Sequence, residues 1–208
     1  AGRVRDRWAG GPGGWGAGER QGVLAKIAAD PVLKSIYGPD NLMLSATHTH
    51  QGPAGYGHHD GFNAFHFGFD ELVLNTLIEG TYQSIRKAHA SLLTHAQAGP
   101  IRMDIGELLN ANINRSKPAF AMNSESERKQ FQNNRGEEIQ VDKRVVQLNL
   151  IRADGQATGI INWFGVHPTT IGQAQTLVSS DNKGFASLGL ERKMGTRYTT
   201  PLGGNTFV

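Results

Sequence analysis

A short apolar run that ends in two closely spaced histidines constrains this chain more than any other feature. Residues 41–56 read N-L-M-L-S-A-T-H-T-H-Q-G-P-A-G-Y, so a strand-like segment leads into His48 and His50 before a turn rich in glycine and proline. Alternate residues of a strand face the same side and lie about 6.6 Å apart. The spacing therefore predicts two imidazoles that face one space at a strand end. A metal site and a pair of solvent-facing side chains are both consistent with it.

A third histidine closes another apolar run. Residues 159–168 read G-I-I-N-W-F-G-V-H-P, which is typical of a short buried strand ended by a proline. His167 is predicted to be the last residue of this strand, where ligands and catalytic groups are common. Taken alone, it is better explained as a core histidine bonded to backbone. Together with His48 and His50 it predicts a metal site, because catalytic zinc is often held by ligands far apart in sequence.

The remaining hydrophobic pattern predicts an α/β fold with mixed β-sheets flanked by helices. Asp70 has the side chain of a helix N-cap, and the helix after it is predicted to reach about residue 89. Its predicted buried face consists of Val73, Leu77, Thr81, Ile85 and Ala88. The other predicted elements are a helix in 21–33, strands at 42–50, 96–105 and 106–113, a hairpin of 144–151 and 158–166 connected through Asp154-Gly155, and a helix capped by Ser180 or Asp181 that ends near Lys193.

Composition indicates a globular protein and excludes several kinds of site. The 208 residues are 38% hydrophobic, and a net charge of +3 is too small to indicate nucleic-acid binding. The chain has no cysteine, which excludes disulfides and thiolate metal sites. No apolar run reaches the length of about 18 residues expected of a transmembrane helix. Residues 1–20 are rich in glycine and arginine and are predicted to be disordered, which leaves 21–208 as the folded part.

Five blocks of sequence, taken in order, carry a resemblance to one family. The first is the histidine run at 45–56. The others are N-I-N-R-S at 112–116, S-E-R at 126–128, N-W-F-G-V-H-P at 162–168 and L-V-S-S-D-N-K-G-F-A-S at 177–187. In order and spacing these blocks resemble the neutral or alkaline non-lysosomal ceramidases. The resemblance covers 21–208 and is more specific than any single motif.

The resemblance implies that 21–208 is the N-terminal part of an incomplete catalytic domain. Family members continue with a G-D-x-S-P block, whose serine is associated with catalysis, and with a later glutamate and tyrosine that bind zinc. These blocks are not found in this chain, so the 208 residues are expected to be inactive by themselves. Two residues depart from the family pattern. Gln51 stands where serine is more usual, and Lys117 stands where proline is usual.

The resemblance also implies an activity and a role for each candidate residue. The family hydrolyses ceramide, an N-acylsphingosine, to sphingosine and a free fatty acid, with Zn²⁺ as cofactor. His48 and His167 resemble its zinc ligands, and His50 resembles the histidine that contacts the reacting centre. Arg115 resembles its active-site arginine, whose fixed charge can hold an oxyanion or orient the amide. Two weaker candidates for substrate contacts are Tyr56 and Asn114.

A lipid substrate implies transient contact with a membrane or micelle surface. Four phenylalanines of one loop could form part of the substrate entrance, namely Phe62, Phe65, Phe67 and Phe69. The resemblance implies a secreted, extracellular or periplasmic location, although no signal peptide is visible. No nucleic-acid partner is expected, and the oligomeric state is left open by the sequence.

Two alternatives remain open at this point. One is a different metal-dependent hydrolase, such as a phosphoesterase, in which Asp104 and Asp181 would be the supporting carboxylates. The other is an inactive truncated product that keeps part of the fold. A downstream G-D-x-S-P block would favour the ceramidase over both.

Overall fold

The computed structural model describes residues 17–63, 67–95, 99–133, 135–172 and 174–196. They fall into two compact units, one formed by the parts of the chain before residue 97 and after residue 166, and one formed mainly by 97–166. Helices together with a sheet confirm the predicted α/β class. The elements are α1 (Ala17–Ala29), the 3-10 helix Leu33–Ser35, α2 (Asp60–Asn63), α3 (Glu71–His95), β1 (Ile101–Glu107), α4 (Lys117–Ala121), α5 (Glu125–Arg128), β2 (Arg144–Ile151), β3 (Ala157–Phe164) and α6 (Asp181–Lys193).

Helices α1 and α3 supply most of the hydrophobic core of the first unit. The buried core residues are Val23, Ile27, Leu33, Leu74 and Ile78. In each helix the buried pair is four residues apart, which places both side chains on one face. Among the helices that the structure describes, none has the length and apolar composition needed to cross a membrane.

Helix α1 differs in both bounds from the helix predicted in 21–33. It begins at Ala17, so the last four residues of the segment predicted to be disordered are helical, while residues 1–16 lie outside the described part. It ends at Ala29 because Asp30 starts a new turn. The Asp30 carboxylate accepts hydrogen bonds from the backbone N–H groups of Val32 at 2.8 Å and Leu33 at 3.0 Å. A proline follows at position 31, which disfavours helical backbone in the residue before it.

Helix α3 confirms the predicted cap and extends the predicted helix. Asp70 Oδ1 accepts a hydrogen bond from the backbone N–H of Val73 at 3.1 Å, as an N-cap does. The predicted buried stripe is displaced by one residue, since Leu74 and Ile78 are buried whereas Val73 and Leu77 are half-buried. Apolar residues occupy both candidate stripes, so contact with α1 decides which of them faces the core.

The second unit is built on a three-stranded antiparallel sheet in the order β1-β2-β3, so the sheet in the described residues is not mixed. The predicted hairpin is confirmed by the pairing of β2 with β3. In its turn the backbone N–H of Arg152 donates to the carbonyl of Gln156 at 2.9 Å. Gly155 has φ +85°, a conformation that glycine adopts without strain.

Strand β1 replaces the two strands predicted at 96–105 and 106–113. The prediction of a second strand is wrong because the ladder ends where Glu107 pairs with Arg144, the first residue of β2. Beyond that pair one further backbone bond forms, from the N–H of Leu108 to the carbonyl of Lys143 at 2.9 Å. The residues that follow β1 therefore turn away as an irregular loop.

The predicted strand at 42–50 is also wrong. In the described part of the chain this segment pairs with no strand, and a strand requires a ladder to satisfy its backbone groups. Leu42 and Leu44 nevertheless pack against the helical core, and Met43 between them is exposed. The alternation of apolar and exposed side chains that predicted a strand therefore belongs to an irregular segment lying on the helices.

Candidate metal centre

The structure gathers the three histidines that the sequence singled out. His48 Nε2 lies 3.4 Å from His50 Nε2. The ring centroids of His48 and His167 are 4.6 Å apart, and those of His50 and His167 are 5.3 Å apart. One nitrogen from each ring lies within 4.8 Å of the others, and all three side chains are exposed. We refer to these three residues as the histidine cluster.

The spacing of the histidine cluster fits a metal ion. Zinc binds imidazole nitrogen at roughly 2.0–2.1 Å in tetrahedral geometry, which puts two nitrogen ligands about 3.4 Å apart. The Nε2 atoms of His48 and His50 are separated by that distance. Imidazole also suits copper, iron and nickel, so the donor set alone does not select the metal. In the described residues the cluster contains no carboxylate.

His48 joins the cluster through a backbone conformation that a residue in a strand does not have. Its φ is +64°, in the left-handed region that residues other than glycine rarely adopt. The two imidazoles therefore do not converge by the alternation of a strand. A left-handed residue costs on the order of 1–3 kcal/mol and persists only where surrounding contacts impose it. The hydrogen bonds that hold this part of the chain involve Thr49 and Gln51, and their distant partner is Ser179.

The segment that carries His48 and His50 is tied to residue 179. The Thr49 hydroxyl donates to the carbonyl of Ser179 at 2.7 Å, and the backbone N–H of Ser179 donates to the carbonyl of Gln51 at 3.0 Å. The backbone N–H of Gln51 in turn donates to the Thr49 hydroxyl at 3.2 Å. Residue 179 therefore fixes both sides of His50.

The segment that begins at His167 is tied to the first residues of α6. Strand β3 ends at Phe164, so His167 lies in the loop beyond the strand rather than in its last position. The Asn182 side-chain amide donates to the carbonyl of His167 at 3.0 Å. The Asp181 carboxylate accepts hydrogen bonds from the backbone N–H groups of Thr170 at 3.2 Å and Ile171 at 3.1 Å. We call residues 179–182 the bridge, because they contact both histidine-bearing segments.

Asp181 is a buried acid held in its charged form. Burial raises the pKa of its carboxyl, but hydrogen bonds from Ile171, Asn182 and Thr170 more than offset this and hold the pKa below its usual value. The backbone of Asp181 lies in the left-handed region, with φ +53°. A carboxylate satisfied in this way acts as a structural acceptor for the loop after His167.

Tyr56 lies close in sequence to the histidine cluster but packs against the helical core. The preceding residue, Gly55, has φ +84°, and its carbonyl accepts a hydrogen bond at 2.6 Å from the backbone N–H of Asp70. Packing explains where this ring lies without a substrate. A contact between Tyr56 and substrate stays a prediction.

Asn114 and Arg115 belong to the second unit. Asn114 is half-buried, and its side-chain carbonyl accepts a hydrogen bond from the backbone N–H of Ser116 at 2.7 Å. Arg115 is exposed and makes no ion pair with the described residues. Their assigned roles stay predictions.

Asn112 anchors the loop that carries Arg115, a role that sequence analysis missed. This residue is buried, and its amide donates to the carbonyls of Asp142 at 2.8 Å and Gly165 at 2.7 Å. The Lys143 ammonium donates to Asn112 Oδ1 at 2.9 Å. The loop is thereby attached to the residues that flank β2 and β3.

The aromatic loop is described only in part. Phe67 is fully exposed, and Phe69 stacks on His58 with ring centroids 5.2 Å apart. Phe65 and the side chain of Phe62 lie outside the described residues. A substrate entrance in this loop stays a prediction.

The bridge is the main feature of the site that sequence analysis did not assign. Residues 177–187 were recognised as one of the family-like blocks, but no role was attached to Ser179 or Asn182. The family-like block was the one sequence signal that pointed to the bridge. A hydrogen bond between residues 130 positions apart produces no periodic pattern in the sequence.

Comparisons with known proteins agree on one family. The family model for neutral/alkaline non-lysosomal ceramidase, N-terminal, matches residues 16–208. The chain is 38% identical over 165 residues to a neutral ceramidase of Pseudomonas aeruginosa, a match that covers 79% of this chain and 22% of that protein. It is 35% identical over 181 residues to neutral ceramidase A of Dictyostelium discoideum, a match that covers 85% of this chain and 24% of that protein.

Solved structures give the same result. The crystal structure of neutral ceramidase from Pseudomonas aeruginosa matches with a TM-score of 0.73 and 34% identity, covering 88% of this chain and 26% of that one. A structure described as ceramidase complexed with C2 matches with a TM-score of 0.71. This chain spans about a quarter of the length of the relatives that it matches.

Proposed function

The chain belongs to the neutral/alkaline non-lysosomal ceramidase family, and from this we propose that the full-length protein hydrolyses the amide bond of ceramide to sphingosine and a free fatty acid. The observation that carries the proposal is the gathering of His48, His50 and His167 in one cluster. The activity is proposed for the full-length protein because the matched relatives are several times longer than this chain.

We assign zinc to the histidine cluster, with His48 and His167 as ligands and with further ligands from beyond these 208 residues. Ring nitrogens of His48 and His167 lie within 4.8 Å of each other and of His50, which supports a shared ion at the cluster. Zinc there would supply Lewis acidity and lower the pKa of water to around 7, which provides a nucleophile at neutral pH. Under this assignment the cluster supplies two of the three protein ligands that catalytic zinc normally has, so the 208 residues alone are expected to show no steady turnover.

The other candidate residues are assigned to the reacting groups. His50 is exposed and lies beside a proposed ligand, so its imidazole can transfer a proton when the amide is cleaved. The Arg115 guanidinium would stabilise negative charge on the carbonyl oxygen. Tyr56 and Asn114 are proposed to contact the substrate.

A lipid substrate also implies where the enzyme works. Ceramide resides in membranes and micelles, so the full-length protein is proposed to contact such a surface transiently. A fully exposed aromatic side chain, Phe67, is consistent with that contact. A secreted, extracellular or periplasmic location is part of the same proposal.

A phosphoesterase is less well supported. Its metal site would need bridging carboxylates, and Asp181 instead accepts hydrogen bonds from the backbone of Thr170 and Ile171. Asp104 accepts a hydrogen bond from the Asn149 amide at 2.5 Å. In the described residues neither acid joins the histidine cluster.

The test is an assay of purified full-length protein for release of sphingosine and fatty acid from a defined ceramide, with a phosphodiester substrate assayed in parallel. We expect ceramide cleavage that a chelator abolishes and zinc restores. His48→Ala should abolish it, whereas His58→Ala, which changes a histidine outside the cluster, should not. Cleavage of the phosphodiester alone, or equal ceramide cleavage by wild type and His48→Ala, would overturn the proposal.

A further inference from the structure

The two segments that carry the histidine cluster have no regular secondary structure to hold them together. In the described residues neither 48–51 nor 167–171 belongs to a helix or a strand ladder. His48 also has a left-handed backbone that its neighbours must impose. The distance between the imidazoles therefore depends on contacts that are specific to this site.

The bridge supplies these contacts on both sides. Towards the first segment, the Thr49 hydroxyl and the Ser179 carbonyl form a bond of 2.7 Å. Towards the second, the Asn182 amide bonds the carbonyl of His167 at 3.0 Å and the hydroxyl of Thr170 at 3.3 Å. The Gln51 amide also donates directly to the carbonyl of Gly172, just after the second segment, over a longer distance of 3.4 Å.

The side-chain amide of Asn182 is oriented by its N–H donors and not by its carbonyl oxygen. Its Oδ1 is buried and accepts no hydrogen bond from the described residues, which is unfavourable. The opposite orientation would place Oδ1 against the His167 carbonyl, where two acceptors would face each other. The amide is therefore oriented by its bond to the backbone of His167 and not by satisfaction of its own oxygen.

We propose that the bridge is the positioning element of the metal centre, with Asn182 placing His167 and Thr49 placing the segment of His48 and His50. The inference rests on the proposed metal centre and concerns residues that touch neither metal nor substrate. Loss of partners that orient metal ligands typically lowers metal affinity by roughly 10–100-fold. Loss of either bond should thus weaken zinc binding and change the coordination geometry while all three histidines remain.

The test compares Thr49→Val and Asn182→Asp with Thr49→Ser in the full-length protein. Valine removes the donor at nearly constant shape, aspartate removes the donor to His167, and serine keeps the hydroxyl. Zinc affinity is measured by competition with a chromophoric chelator. Coordination geometry is read from the visible spectrum of the Co²⁺-substituted protein. Ser187→Ala is the matched control, because Ser187 lies on α6 and its hydroxyl donates to Glu191 at 3.1 Å, away from the cluster segments.

We expect roughly 10–100-fold weaker zinc binding and an altered Co²⁺ spectrum in Thr49→Val and Asn182→Asp. Thr49→Ser and Ser187→Ala should match wild type in both. Wild-type affinity and spectrum in both loss variants would overturn the positioning role, and so would equal weakening in Thr49→Ser. Different results would overturn this inference and the proposed activity. If the wild-type protein binds zinc but does not cleave ceramide, only the activity is overturned.

Discussion

The three-stranded sheet and the histidine cluster are held together in different ways. Strands β2 and β3 are close in sequence, and main-chain bonds pair them along their length. The cluster depends on bonds such as that of Thr49 with Ser179, 130 positions away, which require a particular side chain. A backbone ladder tolerates most side chains, whereas each side-chain hydrogen bond of the site is lost with one substitution. Single changes should therefore damage the site more than the sheet.

The helical core and the sheet also differ in how they use apolar residues. The helical core buries Val23 and Ile27 almost completely. One face of the sheet instead carries an exposed row on β1, with relative exposures of 62–66%, made of Ile101, Met103 and Ile105. Exposed apolar surface of this kind contributes little to the stability of the chain and favours association.

The largest effect should follow removal of one proposed zinc ligand. In the full-length protein His48→Ala and His167→Ala should each lose most of the bound zinc, since the remaining ligands cannot complete the coordination. Metal analysis of purified protein measures this loss. Leu148→Ala in β2 is the sheet counterpart and should keep its zinc. Full zinc occupancy in both histidine variants would contradict the assignment.

A matched pair of isoleucine substitutions tests the difference in burial. Ile27 is 1% exposed and Ile105 is 65% exposed. In this chain Ile27→Ala should lower the free energy of unfolding by about 2–5 kcal/mol, because it leaves a cavity in the core. Ile105→Ala should change it by no more than about 0.5 kcal/mol. Urea denaturation measures both values, and similar losses would show that the sheet face is covered after all.

His50 and Arg115 test chemistry apart from metal binding. In the full-length protein His50→Ala and Arg115→Ala should each lower kcat for ceramide on the order of a hundredfold, as expected when one transition-state contact is removed. Bound zinc should be unchanged in both. Arg102→Ala, which changes an exposed arginine on β1, serves as the control for Arg115. Near-normal turnover in either variant would remove that residue from the mechanism.

The smallest effect concerns the pH dependence of the helical unit. Hydrogen bonds from Leu33, Tyr82 and Val32, helped by the charge of Arg86, hold the pKa of Asp30 below its usual value. A folded pKa below the unfolded one stabilises the fold above the unfolded pKa of about 3.9, and this stability is lost as pH falls through the folded pKa.

Urea midpoints measured between about pH 6 and pH 3 should therefore fall more steeply for wild type than for Asp30→Asn. The amide keeps an acceptor for the backbone N–H groups but has no charge to lose. Parallel curves for the two proteins would show that Asp30 does not carry the acid sensitivity.

The features that sequence determined by itself are those set by residues close together along the chain. The hairpin of β2 and β3 follows from two alternating runs around Gly155, and the start of α3 follows from the Asp70 cap. The choice of His48, His50 and His167 also came from the sequence, because strand-like runs ending in histidine and the family-like blocks coincide there.

Tertiary structure decided the features that depend on distant partners. The buried face of α3 is chosen by contact with α1, since its sequence offers two apolar stripes. The segment 42–50 is not a strand, because no ladder partner meets it in the described part of the chain. His48 turns into the left-handed region, and the bridge joins two segments more than a hundred residues apart. Hydrogen bonds of this kind depend on one side chain and one carbonyl, so they exist only once the chain has folded.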